Sequence, residues 1–204
     1  MYTDIEPSAS LAVLFFLGTI GVSALVALAC IFAFWKNQPY KWKFMLATCA
    51  IPVLYLCLLL TFSLISHEKN LEKGKEKHIC EIDCHLAYSV LDVQQRASGD
   101  YQIVLRARFD RDTISPNRGD GPLTPNPRTI IVVDDQGNQI SVTPPESMYR
   151  PLRPGQAILI ALAVHLPTSS HGRLKLLVTP RISDTWFLIG HENSPFHKKA
   201  YFLL

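Results

Sequence analysis

Two long apolar runs fill the first third of this chain, Ser10 to Trp35 and Phe44 to Ser66, and neither contains a charged side chain. The hydrocarbon core of a bilayer is about 30 Å thick and a helix rises about 1.5 Å per residue, so roughly 20 apolar residues cross it. Both runs exceed that length. A backbone in lipid must satisfy its own hydrogen bonds, so each run is expected to be a helix, and the short link between them makes an antiparallel hairpin over residues 10–66. A cleavable leader fits the first run poorly. Asp4 and Glu6 precede it where a leader carries basic residues, its apolar core is too long, and a second span follows.

The cations set an expected orientation. The link Lys36-Asn-Gln-Pro-Tyr-Lys-Trp-Lys43 holds three lysines and no acid, which the positive-inside rule assigns to the cytoplasm. Trp35, Tyr40 and Trp42 flank it, where amphipathic rings favour the headgroup layer. Both ends are then expected outside: residues 1–9 as a short exported N-terminus, 67–78 as a charged juxtamembrane stalk, and 79–204 as an exported domain. The stalk reading comes from Glu68, Glu72 and Glu76 at helical spacing among four lysines, with Gly74 interrupting any rigid rod.

Beyond the stalk the hydrophobic period shortens to two. Tyr101, Ile103, Leu105, Ala107 and Phe109 alternate with Gln102, Arg106 and Arg108, the signature of a half-buried strand. Arg128 to Thr143 reads as a hairpin around Asp135-Gln-Gly-Asn138, and further strands are expected at 82–93, 157–166, 174–178 and 200–204. Two proline-rich stretches, Thr113 to Pro127 and Pro144 to Gly155, are expected as loops. About seven short strands in a segment of this size fit an immunoglobulin-like antiparallel β-sandwich. The fold class is therefore a two-helix transmembrane hairpin followed by an all-β domain.

Cys80-Glu-Ile-Asp-Cys84-His85 is the one local cluster of ligand-type residues. Thiolates and an imidazole suit copper, and a nearby cysteine pair in an oxidising compartment also forms a disulfide. In an extended chain cysteines four apart lie about 13 Å from each other, so only a turn at Glu81 to Asp83 brings them together. The alternation Ile82, Cys84, Leu86, Tyr88, Val90 points Cys84 inward and His85 outward. Disulfide, buried thiols and a metal site at Cys80, Cys84 and His85 all remain open at this level. Cys30, Cys49 and Cys57 lie within the spans, and His191 and His197 flank a proline turn expected to be an exposed loop.

Catalytic signatures are missing. No serine sits in Gly-x-Ser-x-Gly, and there is no phosphate-binding glycine loop, His-Glu-x-x-His or paired carboxylates on a helix, so the chain is expected not to be an enzyme. A net charge of +3 without an arginine-rich tract gives no nucleic-acid footprint.

In layout, two N-terminal spans with both ends outside and then an exported β-sandwich, the chain resembles subunit II of cytochrome oxidases. That family holds binuclear copper on a Cys-x3-Cys loop late in its domain, with a histidine four residues after the second cysteine. Here the pair precedes the first long strand, His85 follows Cys84 directly and residue 88 is Tyr88, so the copper ligands do not carry over. The chain is similar in the same way to uncharacterised bacterial membrane-anchored proteins with an exported immunoglobulin-like domain. That likeness implies a bacterial inner or plasma membrane. The expected role is a membrane-anchored module, in contact with membrane lipid, that binds a protein partner as an accessory subunit of a membrane complex. Gly18, Gly21, Ser23 and Ala24 are expected to permit close helix approach in the first span. No cofactor is expected, with copper handling by Cys80, Cys84 and His85 as the alternative.

Overall fold

The computed structural model describes residues 2–6, 8–80, 84–97, 99–112, 119–166 and 172–204. The apolar runs form α1 (Ala9–Trp35) and α2 (Lys41–Ile65). Ser8 caps α1 with its hydroxyl oxygen, which accepts from the Leu11 N–H at 3.4 Å. The hydroxyls of Thr19, Thr48 and Thr61 donate to the carbonyls four residues back, so these polar groups are satisfied inside their own helix. Asn37 turns the link with φ of +49°, a left-handed conformation that asparagine tolerates better than most residues.

Along both helices large apolar side chains face outward, Leu14, Leu25, Ile31, Leu46 and Leu64 among them. The buried positions are few, Ala9, Ala12 and Ala33 on α1 and Tyr55, Leu59 and Ser63 on α2. A core helix of a water-soluble domain buries its apolar stripe. These two helices are long and apolar enough to cross a membrane. Gly18 and Gly21 do not mediate their contact, since a Cβ added at either would meet nothing within 4 Å. The hairpin closes instead through larger groups, such as Phe15 and Phe16 against Tyr55 and Phe34 against Trp42.

The rest is a two-sheet sandwich. One sheet runs in the order β1 (Tyr2–Thr3), β3 (Lys77–Ile79), β4 (Leu86–Ala97), β5 (Asp100–Phe109), β8 (Ala157–His165). The other runs β2 (Lys69–Leu71), β10 (Ala200–Leu203), β9 (Lys175–Thr179), β6 (Thr129–Val133), β7 (Gln139–Ser141). Neighbours are antiparallel except for β1 beside β3 and β2 beside β10, which are parallel. Between the sheets lies a core in which Ile103, Leu105, Ile160 and Leu162 from the first sheet pack with Val132, Leu176, Val178 and Phe202 from the second. The alternation read in Tyr101 to Phe109 holds, with Ile103, Leu105, Ala107 and Phe109 all buried. The fold is an immunoglobulin-like β-sandwich behind a helical hairpin.

Three differences from the sequence reading concern short strands. The segment 67–78 is not a helical stalk; it supplies β2 and β3, one to each sheet, with a turn at Gly74 (φ +81°) between them. Its charges find partners across the sheets rather than along a helix: Glu68 with Lys175 at 2.6 Å, Lys69 with Glu6 at 2.9 Å, and Glu76 with Arg106 and Arg108 at 2.9 and 2.7 Å. The hydrogen-bonded Arg108 guanidinium holds the Glu76 carboxyl below the usual carboxylate range. Residues 2–5 are not a free terminus either, because β1 pairs with β3 and Ile5 bridges to His191. With these additions the described residues contain ten strands rather than seven.

Other differences are local. In the hairpin of β6 and β7 the residue that ties the turn is Asp134, whose carboxylate accepts from the N–H groups of Gln136 and Asn138. Of the two expected loops, 113–118 lies outside the described residues. The other contains a 3-10 turn (Glu146–Tyr149) that buries Met148. After β9, a short helix α3 (Ile182–Thr185) leads into a run of turns that returns to β10 beside the hairpin.

Candidate functional site at the junction of hairpin and sandwich

Cys80 follows β3 directly and is joined to Cys84 as a disulfide, their Cα atoms 4.1 Å apart. Residues 81–83, which connect them, lie outside the described residues. The Cys80 N–H donates to Asp4 Oδ1 at 2.9 Å, and both cysteines pack with Ile5, Ala9, Ala12 and Leu188 in an apolar cluster under the start of α1. The disulfide therefore sits in the joint between hairpin and sandwich. His85, read from the alternation as outward-facing, is buried, and its ring lies against Phe109 with centroids 5.8 Å apart. β4 begins only at Leu86, so the two-residue period does not extend back to 84 and 85. Each sulfur is bonded to the other, and among the described residues no three His, Cys, Asp or Glu side chains converge as a metal-binding group.

Next to this disulfide is a buried ionic cluster that no motif announced. Lys77 on β3 is fully buried, and its ammonium donates to Glu192 Oε1 at 2.6 Å, the Val178 carbonyl at 2.9 Å and the Ala200 carbonyl at 3.3 Å. All three donors of the ammonium are thereby used. Glu192 in turn accepts from the Ala200 N–H at 3.3 Å. One side chain from the first sheet thus binds two strands of the second and the loop between them.

Asp4 and His191 border this pair. Burial and the neighbouring Glu192 raise the Asp4 carboxyl well above the usual carboxylate range, against the opposing pull of Lys77. Burial, with Lys77 nearby, pushes His191 down to about 3, so the imidazole is neutral. Its Nδ1 accepts from the Asn193 N–H at 2.9 Å, which places the ring proton on Nε2. Nε2 lies 3.6 Å from Asp4 Oδ2, too far for a hydrogen bond and, with a neutral ring, not an ion pair. The sequence pattern places His191 in an exposed loop; it is instead completely buried. With one nitrogen engaged by backbone and the other facing Asp4, this histidine is held as part of the joint rather than presented to a substrate.

A cavity of about 650 Å³ opens beside the joint, between Tyr2, Thr3 and Glu6 on one side and Phe62, Ile65 and Lys69 on the other. Lys69 is held there by Glu6 and lies 4.7 Å above the Tyr2 ring. Burial pushes the Tyr2 phenol up and the His197 imidazole down, which favours the neutral form of both.

Farther from the hairpin, β8 ends the first sheet. All nine of its residues pair with β5 on one side. Among the described residues no backbone group pairs with its other side. Its outward side chains are Ala157, Leu159, Ala161, Ala163 and His165, of which Leu159 is 65% exposed.

No protein-family model matches the chain, and no curated protein matches it. Among solved structures it is similar to the secreted protein MPT63 of Mycobacterium tuberculosis, at 10% identity and a TM-score of 0.42, over 68% of this chain and 98% of that one. The sheet order and packing described above define the fold independently of that likeness.

Proposed function

We propose that this chain is a non-enzymatic, membrane-anchored module that holds its β-sandwich on the extracytoplasmic face of a bacterial inner membrane, N-out and C-out, and offers it to a protein partner as an accessory subunit of a membrane complex. The observation that carries this reading is the outer edge of β8, which pairs with no backbone group among the described residues and beside which the 3-10 turn Glu146–Tyr149 packs. A sheet edge presents a row of unpaired N–H and C=O groups, and proteins usually blunt it with lysine, proline, a bulge or a covering element. Ala157-Ile-Leu-Ile-Ala-Leu-Ala-Val-His165 has neither charge nor proline before its last residue. His165 itself is engaged by Asp100 at 2.7 Å. Small outward residues on either side of Leu159 leave room for a partner's side chains. An extended segment of another protein can add there as a sixth strand, the main chain supplying hydrogen bonds and Leu159 an apolar contact.

The test is co-purification from native membranes in mild detergent. Wild type is compared with the double variant Leu159→Lys, Ala161→Lys, which places two charges on the outward face without touching the core. The expected result is a partner protein recovered with wild type and lost with the variant at unchanged thermal stability. Recovery of the same partner with both proteins would rule out the β8 edge as the docking site.

A further inference from the structure

We propose that residues 186–189 form a hook that inserts Trp186 and Phe187 among the acyl chains of the extracytoplasmic leaflet, a third membrane contact in addition to the two spans; this rests on the membrane-spanning reading of α1 and α2. The segment splits by direction. Leu188 and Ile189 turn inward, Leu188 into the apolar cluster with Ala9 and Ala12, and Ile189 against Tyr55 and Leu59. Trp186 and Phe187 turn outward, 48% and 49% exposed, with ring centroids 5.8 Å apart. The backbone is fastened at this point by the Tyr55 hydroxyl, which donates to the Phe187 carbonyl at 2.5 Å. Phe187 lines a shallow apolar hollow against the hairpin together with Thr19, Ser23, Pro52 and Tyr55.

The position along the helices identifies what surrounds these rings. Phe34 and Trp42, in edge contact, mark the link end of the hairpin, where aromatic residues favour the interface. From Phe34 to Thr19 is about 22 Å of helix, less than the roughly 30 Å of the hydrocarbon core. On the other helix, from Trp42 to Leu56 is about 21 Å by the same rise, and Leu58 and Leu60 beyond it face outward. Both distances put Phe187 inside the hydrocarbon, about 8 to 9 Å below its domain-side boundary. At that depth water is absent. Phe187 borders the same hollow as Ile20 and Leu56 of the helices, Trp186 lies beside Phe187, and the indole's amphipathic character suits a ring on the headgroup side of it. Two spans and a hook define a plane, so the hook fixes the tilt and height of the sandwich above the bilayer.

Tryptophan quenching tests this directly, because the chain has three tryptophans and two of them flank the link. The full chain with Trp35→Phe and Trp42→Phe reports on Trp186 alone; Trp35→Phe with Trp186→Phe reports on Trp42 alone. Both are reconstituted into phosphatidylcholine vesicles with brominated acyl chains, and resistance to proteolysis verifies that each is folded. The expected result is that Trp186 emission is quenched by the brominated chains at least as strongly as that of Trp42 and resists aqueous iodide. If Trp42 is quenched by the chains while Trp186 responds only to iodide, the hook is overturned and the spans stand. If neither responds to the brominated chains, the membrane-spanning reading itself falls and the hook falls with it.

Discussion

Cys80 is held twice, by its bond to Cys84 and by Asp4 Oδ1 on its N–H, at a point where the first helix, the first strand and the C-terminal loop meet. Closing so short a loop removes roughly 2 kcal/mol of chain entropy from the unfolded state. Replacing both cysteines with serine should therefore lower stability by about that amount, read as a lower melting temperature of the full chain in detergent, while the chain still folds. The same pair of proteins decides the copper alternative. With both sulfurs in a disulfide and the His85 ring against Phe109, neither Cys80 nor Cys84 offers a thiolate, so wild type should carry no copper through dialysis. Stoichiometric copper in wild type that disappears in the double serine variant would move Cys80, Cys84 and His85 from structure to metal handling.

At the scale of elements, β3 is short but joins the two sheets, because Lys77 reaches from it to β9, β10 and Glu192. Removing one member of a buried ion pair strands the other, which costs about 3 to 5 kcal/mol, whereas neutralising both costs much less. Lys77→Met should therefore unfold or severely destabilise the sandwich, and Lys77→Met with Glu192→Gln should recover most of the loss, since glutamine can still accept the Ala200 N–H. Equal melting temperatures for the single and double variants would show that the pair does not act as a unit. The same residue explains where the sequence was opaque. Long elements were legible: two uncharged runs gave α1 and α2, and nine alternating residues gave β5, because burial on one face repeats often enough to register. β1, β2 and β3 have two or three residues each, too few for any period, and β1 and β2 find partners far away in sequence, at β3 and β10. Lys77 sits in a tract of alternating charge that is usually solvated, and Glu192 and His191 sit in a turn. Nothing local distinguishes a lysine that faces water from one whose three donors are used inside. The β8 edge was half legible: the strand and its lack of charge could be read, but its position at the end of a sheet is a property of topology.

For the whole molecule, the decisive contacts are those between the chain's beginning and its last third. Asp4 accepts from the Glu192 N–H at 2.9 Å and the Glu6 N–H donates to Gly190 at 3.1 Å, so the strand before α1 belongs to the same body as the domain after α2. Gly190 is required at that contact, as its φ of +76° and the overlap of any Cβ with the Glu6 carbonyl both exclude a side chain. A chain whose two ends share one folded body must cross a membrane an even number of times, which the hairpin satisfies. That the sandwich lies outside is our proposal from the lysines of the link. Labelling with a membrane-impermeant thiol reagent in intact spheroplasts tests both statements separately, with Cys30, Cys49 and Cys57 replaced by alanine. Gln136 and Gln38 are the positions to change, because their neighbours Gly137 and Asn37 have positive φ and would strain a cysteine. Single cysteines at Glu6 and Gln136 should label alike, and one at Gln38 should be protected until the membrane is opened. Different labelling of Glu6 and Gln136 would break the hairpin, since a single crossing would separate them. Labelling of Gln38 alone would keep the hairpin and invert the molecule, placing the sandwich, its β8 edge and the hook on the cytoplasmic side.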